Sequence, residues 1–406
     1  MNALSNGRPR PLRRARWAAM AAFATNGALP ASLLARYAEV KDALGLTPAL
    51  FGLLVVGFGL GGALALHFPG AVSRQLGVAR SASFGTVWMG GWLLLAVIGV
   101  QIGNPWVTLV GLVCAGAGDA VVDVAQNSQG IRVQQAYRRS LLNSMHAGWS
   151  IGAAAGGGVG TAAAVLGVPL TVHMAVWGAV CILVMAISAR FFLPGAGPMP
   201  EAPDGSSGEE QRTTPAARPT RRRLAVILLP LVFVALAGIS VEDIGNNWSA
   251  VLLSAERDMP ASSAGIGLTV LLSAQFMGRM VGDRVIDWLG SRRTLVVSLA
   301  AVVAGLLGSA WAPTVALTLV GLALAGLGCA VTVPIAFARA DAVPGLPDHS
   351  GVTLVSWAMR SVTLTLSPVI GLITELSALP VALSVVSLIA GTALILQLKP
   401  TGPKPS

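Results

Sequence analysis

The chain has 406 residues, 54% of them hydrophobic and only 11% charged, with a mean hydropathy of +0.73. A soluble domain carries about 25% charged residues, so a soluble enzyme is excluded. Nucleic acid does not explain the net charge of +10, because the basic residues lie between apolar blocks of membrane-crossing length rather than on a polar domain.

In chain order the blocks predict twelve spans. A basic segment, 1–16, precedes the first at 17–37. Its NGRPRPLRRAR stretch suits a signal peptide, but the apolar segment behind it is long, contains Asn26 and Pro30, and lacks an A-x-A cleavage site. It is expected to be retained as a span. Five more follow at 47–69, 82–102, 105–135, 141–165 and 168–193. Residues 194–222 are rich in Pro, Gly, Ser and charge without apolar periodicity, and are expected to form a flexible cytoplasmic linker. The second six spans fall at 223–253, 262–286, 293–311, 313–338, 351–375 and 379–398, ahead of a tail at 399–406. The expectation is an all-α integral membrane protein with six spans over 17–193 and six more over 223–398.

Basic residues give the orientation. Alternating the spans places Arg8, Arg10, Arg13, Arg14, Arg16, Arg74, Arg80, Arg138 and Arg139 on one side, with the linker arginines, Arg292, Arg293, Lys399 and Lys404. The other side receives only Arg36, Lys41 and Arg257. Both termini are therefore expected in the cytoplasm, as for a multi-pass protein of a bacterial inner membrane. Trp17, Trp106, Trp288 and Trp311 fall at span ends as an aromatic belt requires, whereas Trp149, Trp248 and Trp357 lie inside spans. Cys114, Cys181 and Cys329 also lie inside spans and read as packing residues, with no disulfide or metal site implied.

The halves echo each other. LGVAR at 76–80 corresponds to LGSRR at 289–293, and HAGWSIGAAAGGGVG at 146–160 aligns with WAMRSVTLTLSPVIG at 357–371, with offsets of 213 and 211 residues. Six spans per half give the repeats a shared orientation, as parallel repeats have. At this point the residues resemble the major facilitator superfamily over nearly the whole chain. GRMVGDRVIDWLGSRR, 278–293, is similar to its cytoplasmic signature, with Gly278, Gly282, Asp287, Gly290, Arg292 and Arg293 in place. The earlier copy, PGAVSRQLGVAR, carries Arg74 where Asp is usual. LARYAEVKDALGLTPALFG, DVAQNSQG, HAGWSIGA and EDIGNNWSAVLL resemble a sparsely characterised bacterial branch. Its members more often carry Asp at Asn247 and Glu at Gln134 or Gln135. The resemblance implies twelve transmembrane helices in two pseudo-symmetric six-helix bundles that rock about a central site.

Polar residues inside the spans mark candidate sites. At ~100° per residue Asp119, Asp123, Gln126, Asn127, Gly130 and Gln134 share one stripe of the fourth span. A carboxylate at mid-membrane costs at least ~2.5 kcal/mol, so the stripe lines a cavity or pairs with another helix. Asn143, His146, Ser150 and Gly157 share a face of the fifth span, and the Gly-rich run there favours close packing. That run lacks the Gly-Pro pair of the superfamily's antiporter signature, which counts against a drug-proton exporter. His173 reads as a packing or interface residue. In the seventh span Glu242 and Asn246, and Asp243 and Asn247, stand at i, i+4 beside Trp248. They suit a solute site whose amides and acids bind polar groups while the indole stacks on a ring. The alternative is a broken helix, helped by Gly238 and Gly245, whose freed backbone groups use these side chains.

Arg279 and Arg360, inside spans, require a counter-ion or an anionic ligand. Arg36 reads as a gate residue through the family likeness. Arg279, Asp283, Arg284, Asp287, Arg292 and Arg293 complete the expected gating set.

The reading is a secondary active transporter for a small polar or amphipathic solute. No GxxxxGK[ST] loop is present to use ATP, and no catalytic or metal-ligand spacing appears in the loops, so neither an enzyme nor a cofactor is expected. Proton coupling follows from the membrane carboxylates, because desolvation disfavours their charged form and hydration restores it. Asp123, Glu242, His146 and Asp119 are the coupling candidates. Asn26, Asn127, Trp149, Asn246, Trp248, Gln275 and Arg360 are the substrate candidates. Arg360 and Arg279 suit an anionic or hydroxylated solute taken up by symport, and the acids of span seven suit a cation exported. The rival class is a non-transporting sensor or lipid-handling protein on the same fold. Expected partners are the solute, protons and membrane lipids, with no nucleic acid, and the expected state is a monomer.

Overall fold

The computed structural model describes residues 10–65, 67–138, 141–194, 221–343 and 350–398. Most of the expected linker, the start of the basic segment and the tail lie outside the described residues, as do the side chains of Asn143 and Asp283.

The described chain is helical throughout. In order the helices are α1 (Arg10–Leu34), α2 (Tyr37–Ala43), α3 (Pro48–Leu64), α4 (Pro69–Leu76), α5 (Val78–Gln101), α6 (Pro105–Tyr137), α7 (Leu142–Val165) and α8 (Leu170–Ala189). After the linker come α9 (Arg221–Asp243), a π-helical turn (Ile244–Trp248), α10 (Ser249–Glu256), α11 (Ala261–Ala264), α12 (Ile266–Leu289) and α13 (Ser291–Trp311). The last are α14 (Val315–Cys329), α15 (Thr332–Asp341), α16 (Ser350–Leu376) and α17 (Leu379–Leu398). Among the described residues nine helical segments are long and apolar enough to cross a membrane, and the pair α3–α4, bent by 58°, passes the same test when its two helices are taken together. Expected spans five and eleven are the helices α7 and α16. Glycine in the one, and Ser, Thr and Arg360 in the other, lower their hydropathy.

Helix ends follow local chemistry. Asn104 caps α6, its side chain accepting from the backbone N–H of Trp106 and Val107 at 3.0 and 3.2 Å, with Pro105 at the first helical position. Gly77 and Gly290, the glycines of LGVAR and LGSRR, join α4 to α5 and α12 to α13 with φ, ψ of 78°, 154° and 77°, 150°. Only glycine holds that conformation without strain, so the repeat seen in sequence is a repeat of backbone geometry.

By contacts the chain divides into one unit of Met1–Arg36 and Gly57–Ser206 and a second of Tyr37–Val56 and Ser207–Ser406. The division is not made at the linker alone: α2 and the start of α3 pack with the second unit, where Ala38 shares a buried cluster with Ala250, Leu253 and Ala264. In the first unit α1 and α7 approach through small residues. A Cβ on Gly148, Gly152, Gly156 or Gly160 would press into the carbonyl oxygen of Met20, Ala24, Ala28 or Ser32 respectively. Both series step by four residues, so one ridge of α7 lies along one groove of α1. In the second unit, α3 and α16 cross in the same manner: Gly52 meets the Ser367 carbonyl and Gly371 the Pro48 carbonyl.

Candidate functional site

In the second unit, Glu242 at the end of α9 faces α12. Gln275 Nε2 donates to Glu242 Oε1 at 2.5 Å, and Arg279 Nη2 donates to the same oxygen at 3.0 Å. Gln275 and Arg279 stand at i, i+4 on α12, which aims both at one carboxylate. The ion pair remains open, its two side chains being 30% and 29% exposed, whereas Gln275 is buried. Sequence placed these residues in three roles, as coupling acid, substrate contact and gate; the structure brings them into one cluster. Cys329 on α14 adjoins it, its thiol donating to the Gly326 carbonyl at 3.3 Å.

The neighbouring acid, Asp243, turns to α16. Ser367 Oγ donates to Asp243 Oδ2 at 2.7 Å and accepts from Trp248 Nε1 at 3.0 Å and Asn247 Nδ2 at 3.2 Å. Asn247 also donates to Asp243 Oδ1 at 3.0 Å. The π turn makes this closure possible. By widening the helix over Ile244–Trp248 it brings two consecutive side chains onto one hydroxyl. The helix is thus re-registered, not broken as the alternative reading held.

Trp248 is fully buried, with Phe51 edge-on to it at 5.4 Å and Tyr37 edge-on to Phe51 at 5.7 Å. It is a packing residue here, with no face left for a solute. Ser367 and the Phe51 contact carried no sequence signal, because both depend on which helices meet. Asn246 is half-buried and Arg360 exposed.

In the first unit the stripe on α6 divides. Asp123 is exposed, and its Oδ1 accepts from Asn127 Nδ2 at 2.9 Å and Gln126 Nε2 at 3.3 Å. Asp119, one turn earlier, is hydrogen-bonded by Asn26 of α1 and lies near enough to Asp123 to feel its charge. Asn26 is 3% exposed and its Oδ1 is without a partner; so are Gln126 Oε1 and both polar atoms of the buried Gln129. Gln134 serves local structure, accepting from the Leu141 N–H at 2.9 Å. His146 is exposed with its ring edge against Phe23 at 5.1 Å, Ser150 donates to the His146 carbonyl, and Trp149 packs on the cluster of Phe23 and Met145.

The expected gating residues part company. Arg36 is 4% exposed and fastens α1 to α8: Nη1 donates to the Val168 carbonyl at 3.0 Å and lies 3.4 Å from His173 Nδ1. His173 Nε2 is 2.8 Å from Ser32 Oγ. With Nδ1 accepting from Arg36, the ring proton sits on Nε2 and points at Ser32. His173 is a partner of the arginine, an assignment sequence missed because the two are 137 residues apart. Arg292 donates to the carbonyls of Gln397 and Leu398 at the end of α17, where a cation complements the helix dipole. Arg339, which sequence passed over, joins it through Ser291 Oγ at 2.9 Å and Gln397 Oε1 at 3.3 Å. Arg284, Asp287 and Arg293 are exposed.

Acids and amides held by polar partners inside apolar helices, and glycine-joined loop repeats, fit one fold family. The Major Facilitator Superfamily profile matches residues 17–368. The chain belongs to the major facilitator superfamily. It is 28% identical over 382 residues to an uncharacterised transporter of Sinorhizobium fredii, covering 94% of this chain and 97% of that one. An uncharacterised transporter of this superfamily from Yersinia pestis is 28% identical over 352 residues, 86% of each chain. Among solved structures, the D323A variant of the nucleoside transporter NupG superposes with a TM-score of 0.70 at 14% identity, covering 96% and 98% of the two chains. A bacterial homologue of the human lysosomal transporter Spinster gives 0.68 at 13%, covering 96% and 97%. The N162A variant of the E. coli fucose:proton symporter FucP gives 0.53 at 17%, covering 95% and 97%. At these identities the structures share the fold. The protein is accordingly a multi-pass membrane transport protein of the secondary type, not an enzyme, and it acts on small molecules.

Proposed function

We propose that the protein is a proton-coupled transporter of a small polar solute, with Glu242, Gln275 and Arg279 as its binding cluster and Asp123 as its proton carrier. The observation that carries this is the shared Glu242 oxygen. An ion pair left about one-third exposed, with a buried amide beside it, offers an acceptor from α9 and a forked donor from α12 side by side. Hydroxyl-rich or zwitterionic solutes present the complementary groups.

Arg279 compensates the Glu242 charge, whereas the partners of Asp123 are neutral amides. The proton role is assigned on that difference in partners to Asp123, with Asp119 and His146 as its neighbours in that role. Asn26 and Asn127 position these two acids. Both termini face the cytoplasm of a bacterial inner membrane, by the arginine asymmetry, and the protein works as a monomer.

A thermal-shift screen of the purified protein against sugars, nucleosides and amino acids supplies the solute. In proteoliposomes, Asp123→Asn is expected to keep solute exchange but lose accumulation driven by a pH gradient. Wild-type pH dependence in that variant removes Asp123 from the coupling role. Absence of flux for every solute that shifts the protein favours the sensor reading.

A further inference from the structure

The two ends of α1 and α8 that lie beside the basic N-terminal segment leave a groove of about 470 Å³, lined by Arg13, Arg14, Trp17, Ala21, Ile187 and Phe191 among others. Its chemistry changes along its length. Arg13 and Arg14 lie in the first turns of α1. One to two turns on, about 6–12 Å along the axis, come Trp17 and Ala21. Ile187 of α8 and Phe191, two residues past its end, continue the apolar wall. Trp17, Ile187 and Phe191 are 64%, 48% and 42% exposed, so the wall faces outward from the helix pair. Among the described residues no Asp or Glu lines the groove. Arg14 is held in place, its guanidinium carbon 5.9 Å from the centre of the Phe191 ring.

We infer that this groove binds one anionic glycerophospholipid of the surrounding membrane. The phosphate and its acidic headgroup meet Arg13 and Arg14. The glycerol region lies at Trp17, whose indole suits the membrane interface, and an acyl chain follows Ala21 and Ile187. A soluble phosphate would use the two arginines and leave the apolar half unfilled. A zwitterionic lipid would bring a choline cation against two guanidinium groups. The charge and the apolar run together select a lipid with net negative charge. This assignment is independent of which solute the protein moves and of the role of Asp123.

The test uses the full chain, purified and delipidated in detergent, titrated with phosphatidylglycerol or phosphatidylcholine and read by native mass spectrometry. One phosphatidylglycerol is expected to be retained in preference to phosphatidylcholine. The double variant Arg13→Gln, Arg14→Gln is expected to bind it about tenfold or more weakly, and Arg80→Gln, an exposed arginine on α5, to bind it as the wild type does. Ala21→Trp, which keeps both arginines and fills the groove, is expected to lose the lipid as well, and decides the matter if the double variant does not fold. Equal retention of phosphatidylcholine, displacement of phosphatidylglycerol by inorganic phosphate, or undiminished binding in Ala21→Trp overturns the assignment.

Discussion

Ser367 donates its hydroxyl proton to Asp243 at 2.7 Å from a helix 124 residues away in sequence. The same oxygen then accepts from Asn247 and Trp248, so one small side chain closes a network of three buried or half-buried groups. Ser367→Ala leaves those groups each one hydrogen bond short, at a cost of about 1–3 kcal/mol for a buried unsatisfied group. The expected outcome is a lower unfolding temperature of the purified protein, and an unchanged temperature would show that the network is dispensable.

The Glu242–Arg279 pair is open to solvent and its contribution to stability is small, about 1 kcal/mol or less. Its contribution to binding is larger, because removing either partner leaves the other charge beside Gln275 uncompensated. Glu242→Gln and Arg279→Gln are each expected to unfold near the wild-type temperature. Neither should show the stabilisation that a solute gives the wild type. Solute shifts of wild-type size in both variants would place binding elsewhere.

Gly156 and Gly158 stand two residues apart on α7 yet predict opposite results. A Cβ on Gly156 overlaps the Ala28 carbonyl, whereas one on Gly158 meets nothing within 4 Å. Gly156→Ala is expected to push α7 from α1 and lower both yield and unfolding temperature. Gly158→Ala replaces the residue that costs a helix about 1 kcal/mol and is expected to be neutral or stabilising. Equal effects of the two substitutions, by thermal unfolding, would count against the register described for α1 and α7.

Arg257 follows α10 and spreads its guanidinium over four acceptors. These are the carbonyls of Glu256, Ser309 and Ala310 and the Thr318 hydroxyl, at 2.8, 3.1, 2.7 and 3.0 Å. It caps the end of α13 and ties that helix to α14. Lysine carries the charge but not the planar fork, so Arg257→Lys is expected to destabilise by about 1–3 kcal/mol. Chemical denaturation in detergent distinguishes this from the negligible change expected if charge alone mattered.

Sequence by itself determined that the protein is an all-helical, multi-pass membrane protein with an internal repeat. Both properties are carried by composition and by local backbone chemistry, which need no partner. Hydropathy sets span length, and Gly77 and Gly290 repeat because only glycine adopts their backbone angles. The polar face of α6 was legible for the same reason, since helical period alone gathers Asp119, Asp123 and Asn127.

Tertiary structure decided which polar group answers which. Glu242 and Asp243 are adjacent in the chain but point to different helices, α12 and α16, and the π turn that lets Asn247 and Trp248 share Ser367 has no signature in composition. His173 looked solitary until α8 was set against α1, where it meets Arg36 and Ser32. Buried charges and amides take partners across helix contacts, and those contacts are set by where glycine lets backbones approach. Hydrophobic period places each helix in the membrane; the pairing of polar atoms is fixed only when the helices touch.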